Sequence, residues 1–188
     1  AYGRSQKLED TTMGWRFINP KLKEIYGVET MPQTAENVAE QFGISRADQD
    51  KFALESQKRT AAAQQQGFFS KEIIPVAIPQ RKGEAVIVDA DEHPRASTTA
   101  EGLAKLKPVV KSDGTVTAGN ASGINDAASA VVLMEAGAAK ARGIKPLARL
   151  VSYAHAGVEP EYMGIGPVPA TQKVLARTGL KIEQMDVI

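Results

Sequence analysis

From Val110 onward the chain is rich in glycine and alanine, and this limits what it can fold into more than any other feature. Ala118-Gly119-Asn120-Ala121-Ser122-Gly123 leads into an alanine-rich stretch reaching Ala141. Such small side chains suit close burial against other elements. The pattern predicts a loop opening a helix from about Asn125 to Ala141, ended by Gly143 and Pro146. Glycines let a ligand approach the backbone, and a helix N-terminus offers unpaired N–H groups to an anionic or carbonyl oxygen. The same residues also read as a tight strand-to-helix turn capped by Ser122 or Asn125. No Lys-Ser/Thr pair follows, so this is not a Walker loop.

The first half is more polar. Trp15, Phe17, Ile18, Leu22, Ile25 and Tyr26 are apolar anchors for a packed loop, with a short helix near Lys21 to Tyr26. Thr34 to Phe42 reads as a helix stopped by Gly43. A longer helix starts at Ser45, which with Asp48 resembles a capping box; one stripe would run through Ala47, Leu54, Lys58 and Ala61 with Phe52 beside it, and Gly67 lies beyond its end. Glu72 to Ile78 and Glu84 to Val88 read as strands joined through Gln80 to Gly83, the first an edge strand because of Pro75 and Pro79. A short helix over Thr99 to Leu106 and a brief strand at Thr115 to Thr117 follow. Beyond the alanine-rich helix, Leu147 to Ala154 reads as a mostly buried strand. Pro169 to Arg177 reads as a helix ended by Gly179, and a last strand begins near Met185. The order is mixed α and β, with crossover-like units toward the C-terminus.

Charge and cysteine count remove several function classes. With 23 basic against 22 acidic residues the chain has no overall field to attract nucleic acid or an anionic membrane, so neither is an expected partner. Its longest apolar stretch, Ala127 to Met134, is too short to span a bilayer. With no cysteine among its 188 residues it has no disulfide, no zinc-thiolate site and no thiol nucleophile. The chain opens without Met and closes on the apolar Met185-Asp186-Val187-Ile188, which leads us to expect a piece of a longer protein.

Other candidates are weaker. Asp89, Asp91, Glu92 and His93 could be cation ligands, but acidic residues after a strand more often form a solvated turn, and no second cluster completes a shell. His155 follows an apolar strand with no serine or cysteine arrangement to make it a base. Arg95 could pair with a phosphate or with a surface carboxylate. Met13, Met31 and Met163 read as core fillers, although thioethers also suit acyl-pocket walls. Gly164-x-Gly166 lacks the third glycine of a dinucleotide fingerprint.

Several segments taken together resemble one family. TVTAGNASGIND at Thr115 to Asp126 is similar to a signature of the thiolases. So are Thr34 to Ala39, Ser45 to Gln49, Ala104 to Pro108 and Met163 to Pro169, in consistent order along the whole chain. Lys7 to Thr12 and Gly14 to Pro20 resemble the branch that acts on 3-oxoadipyl-CoA in aromatic degradation more than the acetoacetyl-CoA branch. The alternatives are a segment of an acetyl-CoA acetyltransferase or fatty-acid 3-ketoacyl-CoA thiolase, or a non-catalytic CoA-binding module.

The resemblance implies a mixed α/β thiolase fold. Residues 1–124 would form a loop domain that binds CoA, 125–145 the end of the N-terminal half, and 146–188 the start of the C-terminal half. It implies coenzyme A as co-substrate, with no covalently bound cofactor and no metal. Acyl-CoA thioesters would be the partners, in a cytoplasmic homodimer or homotetramer. Ser122 matches a serine touching pantetheine, and Arg95 a basic residue near the nucleotide. Leu22, Met31 and Ala118 match positions lining the pantetheine or acyl tunnel, and Met163 a pocket wall. Val110 stands where the acetoacetyl branch is often aromatic. The family's cysteines, its catalytic histidine and its Asn-Glu-Ala-Phe motif have no counterpart among these residues, so the chain alone is expected to be inactive.

Overall fold

The computed structural model describes residues 14–188. The Lys7 to Thr12 motif and Met13 therefore lie outside the described residues. The chain divides into two compact units, one of residues 1–38 with 124–188 and one of residues 39–123.

Local chemistry places the helices. Asn19 starts α1 (Pro20–Tyr26): its side-chain oxygen accepts from the Lys21 N–H at 2.9 Å, and proline supplies the first helical position. Helix α2 (Met31–Gln41) ends in a Schellman arrangement. Gly43 takes φ 63°, where a Cβ would be strained. Its N–H donates to the Glu40 carbonyl, and the Ile44 N–H donates to the Ala39 carbonyl at 2.8 Å. Ser45 then caps the long helix α3 (Arg46–Gln65) by accepting from the Asp48 N–H at 3.1 Å.

In the unit of residues 39–123, α3 is the spine. Strands β1 (Val76–Ile78) and β2 (Val86–Val88) pair antiparallel, Ala77 opposite Ile87, as a two-stranded ribbon between predicted turn residues. Helix α4 (Ala100–Ala104), capped by the Thr99 hydroxyl, packs on α3. The small core holds Ala39, Leu103 and Val116, with Thr117 completely buried. The stripe expected on α3 turns inward only in part. Leu54 and Ala61 are half-buried, while Ala47 and Lys58 are exposed and Phe52 is 79% exposed; Arg46, Gln49, Asp50, Ala53 and Gln57 share the covered face. A mostly polar inner face makes hydrophobic periodicity a poor guide, because the covering loops offer carbonyls and amides rather than side-chain carbons.

The other unit departs further from expectation. Only Ala136–Ala141 is helical as α5, not the whole of Asn125 to Ala141. Val131 and Val132 sit exposed before it, Val132 at 87%. Ala127 to Met134 is apolar except for Ser129, a run that periodicity cannot assign to helix or strand, and β-branched side chains disfavour the helix. Leu147 to Ala154 forms no ladder, and Leu150 is 66% exposed. A strand needs a partner row of hydrogen bonds, and no described residue supplies one. Thr115 to Thr117 makes only a single bridge, Thr117 to Pro108. The end of the chain carries a 3-10 turn at Ile182–Gln184 rather than a strand. The expected anchors at Trp15 to Tyr26 are likewise exposed, Phe17 at 99%. Helix α6 (Pro167–Thr178), closed by Gly179, does form. Its Lys173 and Arg177 donate to the His155 and Tyr153 carbonyls at 3.0 and 2.9 Å.

Two predictions follow from these contacts. A Cβ on Gly119 would lie 2.5 Å from Leu106 Cδ1 and 2.6 Å from Leu103 Cδ2. Gly119→Ala should therefore destabilise this unit by about 1–3 kcal/mol in urea unfolding, as overpacking does; an unchanged midpoint would refute the close packing. The second concerns Glu135, whose carboxylate caps α5 by accepting from the Gly137 and Ala138 N–H groups, both at 2.8 Å. Those bonds hold its pKa below the ordinary 4.5. The cap is then complete above that ordinary value and is lost as pH falls through the lower folded value. An NMR titration of Glu135 should show a midpoint below 4.5; a midpoint at or above it would refute the cap.

Candidate functional site

The glycine loop is held from one side by α3. Asn120 Nδ2 donates to Asp50 Oδ1 and to the Thr115 carbonyl, each at 3.0 Å, and Asn120 Oδ1 accepts from the Thr117 N–H at 2.7 Å. The Gly119 N–H donates to Thr117 Oγ1 at 3.2 Å. Arg46 Nε donates to the other Asp50 oxygen at 2.8 Å. Its Nη2 donates to the Leu103 and Leu106 carbonyls at 2.7 and 3.0 Å. Gln49 Nε2 donates to Thr115 Oγ1 at 2.8 Å. The backbone from Thr115 to Asn120 is thereby fixed against α3, and Ala118 and Ser122 stay exposed.

This corrects one local reading. No helix follows the loop at once, so neither Ser122 nor Asn125 acts as an N-cap, and no helix N-terminus faces a ligand there. What the loop offers is an exposed edge of small residues next to a hydroxyl.

Arg95 has an exposed side chain on a loop whose backbone is fixed to α3. Its N–H donates to Gln57 Oε1 at 2.8 Å, and its carbonyl accepts from the Thr98 hydroxyl at 2.7 Å. Val110 is half-buried, beside Val109, whose N–H donates to the Val116 carbonyl. These two residues, with Ala118 and Ser122, belong to one unit.

Leu22, Met31 and Met163 belong to the other. Leu22 lies on α1, and Met31 opens α2 with 70% of its surface exposed. Met163 sits in the 3-10 turn Pro160–Ile165. That turn is tied to α2, since Asn37 Nδ2 donates to the Glu161 carbonyl at 3.2 Å and to the Glu29 carboxylate. A Cβ on the neighbouring Gly164 would meet Val38 at 3.7 Å.

Among the described residues no three histidine, aspartate or glutamate side chains gather where they could hold a metal. Asp89, Asp91, Glu92 and His93 are all exposed. No described helix is long and apolar enough to cross a membrane. Sequence reasoning missed Arg46, Asp50 and Asn120 as residues that shape the loop. The available signal was two oppositely charged residues one turn apart on a polar helix.

The thiolase N-terminal domain family matches residues 3–137, and the thiolase C-terminal domain family matches residues 144–188. A beta-ketoadipyl-CoA thiolase of Acinetobacter baylyi is 64% identical over 188 residues, covering all of this chain and 47% of that protein. The 3-oxoadipyl-CoA/3-oxo-5,6-dehydrosuberyl-CoA thiolase of Escherichia coli is 52% identical over the same share of each. The crystal structure of the Bacillus anthracis acetyl-CoA acetyltransferase matches with a TM-score of 0.78 and 42% identity, over 98% of this chain and 45% of that one. The chain thus spans about half the length of the relatives it matches. With both family domains matched in order and a solved acetyl-CoA acetyltransferase superposing on nearly all of it, this mixed α/β chain belongs to the thiolase family.

Proposed function

We propose that this chain is the CoA-holding part of an enzyme that cleaves 3-oxoadipyl-CoA with CoA, giving succinyl-CoA and acetyl-CoA. The observation that carries this is its 64% identity, over its whole length, to a beta-ketoadipyl-CoA thiolase. An enzyme cysteine thiolate attacks the 3-oxo carbon. The C2–C3 bond then breaks, and acetyl-CoA leaves after its carbanion takes a proton. The thiolate of a second CoA attacks the succinyl thioester, releasing succinyl-CoA and regenerating the cysteine. Splitting the reaction through a covalent intermediate lowers each barrier.

In this reading Ser122 and Ala118 contact pantetheine, and Arg95 meets the nucleotide phosphates as a freely reaching guanidinium. Leu22, Met31 and Met163 line the pantetheine and acyl path, and Val110 borders it without an aromatic ring. The enzyme works as a cytoplasmic homodimer or homotetramer. These 188 residues contain no cysteine, so on their own they carry no thiolate for the acyl step and are inactive.

The test is to assay the protein encoded by the complete reading frame for CoA-dependent loss of 3-oxoadipyl-CoA and of acetoacetyl-CoA, beside the 188-residue chain. We expect turnover of 3-oxoadipyl-CoA by the former and none by the latter. Turnover of acetoacetyl-CoA alone would move the reading to an acetyl-CoA acetyltransferase. A complete frame with no cysteine would leave a non-catalytic CoA-binding module.

A further inference from the structure

We propose that Asp50 is a positioning residue for CoA binding, acting through Asn120 on the loop that carries Ala118 and Ser122. The inference rests on the CoA reading above. Asp50 lies on the covered face of α3, 8% exposed, and it hydrogen-bonds Arg46 and Asn120, neither of which is assigned to the ligand. Its two oxygens face two different donors: Arg46 Nε meets Oδ2, and Asn120 Nδ2 meets Oδ1. An amide could not replace it, because its NH2 would point at one donor whichever way it turned. Arg46 in turn is fixed by the carbonyls at the end of α4, so the carboxylate cannot swing toward another partner.

Asn120 relays this position to the backbone. With its amide nitrogen held by Asp50, its oxygen is aimed at the Thr117 N–H, and the chain turns back on itself from Thr117 to Asn120. The turn is packed shut beneath by Leu103 and Leu106 against Gly119, which leaves no room for a side chain. Ala118 and Ala121 flank Gly119 and Asn120, and Ser122 follows; all three are exposed, and the turn sets the direction in which this edge runs.

The experiment compares Asp50→Asn, Asn120→Asp and the double variant of the 188-residue chain. Amide exchange at Thr117 and CoA affinity by calorimetry are read at a temperature where each is folded by circular dichroism. Each single variant should speed Thr117 exchange and weaken CoA binding about tenfold, as loss of a charge-assisted hydrogen bond does. The double variant restores the donor–acceptor match between positions 50 and 120 but leaves a carboxylate oxygen against the Thr115 carbonyl, so it should recover part of both relative to Asn120→Asp. Ser45→Ala removes the α3 cap without touching the loop; it should lower stability yet leave both readings unchanged.

Unchanged Thr117 exchange, or CoA binding as tight in the single variants as in the parent, would overturn the positioning role. So would an equal loss of affinity in Ser45→Ala. If the parent chain takes up no CoA, the CoA reading fails for this chain, and Thr117 exchange across the four variants still decides whether Asp50 sets the loop. Should Asp50→Asn not fold, the double variant decides against Asn120→Asp, which shares the Thr115 contact: Thr117 better protected in the double variant supports the role, Thr117 no better protected overturns it.

Discussion

The ion pair between Arg46 and Asp50, extended to Asn120, is the interaction on which the unit of residues 39–123 depends. Covering a carboxylate costs free energy unless its lone pairs are met, and here two donors from different parts of the chain meet them. One donor is a helical neighbour four residues away; the other lies 70 residues later. The same arginine donates to the Leu103 carbonyl at the end of α4 and to the Leu106 carbonyl just beyond it. One pair thus joins the long helix, the short helix and the glycine loop. A core as small as Ala39, Leu103 and Val116 could not hold these three elements by apolar burial alone.

The other unit is organised by different contacts. Lys173 and Arg177, one turn apart on α6, reach two carbonyls of the extended segment beside it. Asn37 holds the turn carrying Met163 to α2. These polar clips act where a sheet would ordinarily supply ladder bonds. The valines and leucines of 131–133 and 147–151 remain exposed, because no described strand lies alongside to cover them.

Features with a local cause were legible in the sequence. Ser45 caps the helix that follows it, and Gly43 and Gly179 end helices where left-handed backbone is needed. Pro75 and Pro79 flank a strand that pairs on one side only. Features with a distant cause were not legible. The stretch from Asn125 reads as a helix by composition, yet its conformation depends on what lies beside it. The inner face of α3 is mostly polar, so a search for apolar spacing finds the half-buried Leu54 and Ala61 together with Ala47 and Phe52, which face solvent.

The sequence by itself determined the family, through short motifs whose residue types and order match, and it determined the helix ends, which side chain and backbone settle within a few residues. Only the tertiary structure decided which residues shape the candidate CoA loop. Asp50 and Asn120 are 70 positions apart, and each is unremarkable in its own neighbourhood. Their roles come from a hydrogen bond that exists only when α3 and the loop are brought together, and nothing in either local pattern encodes that meeting.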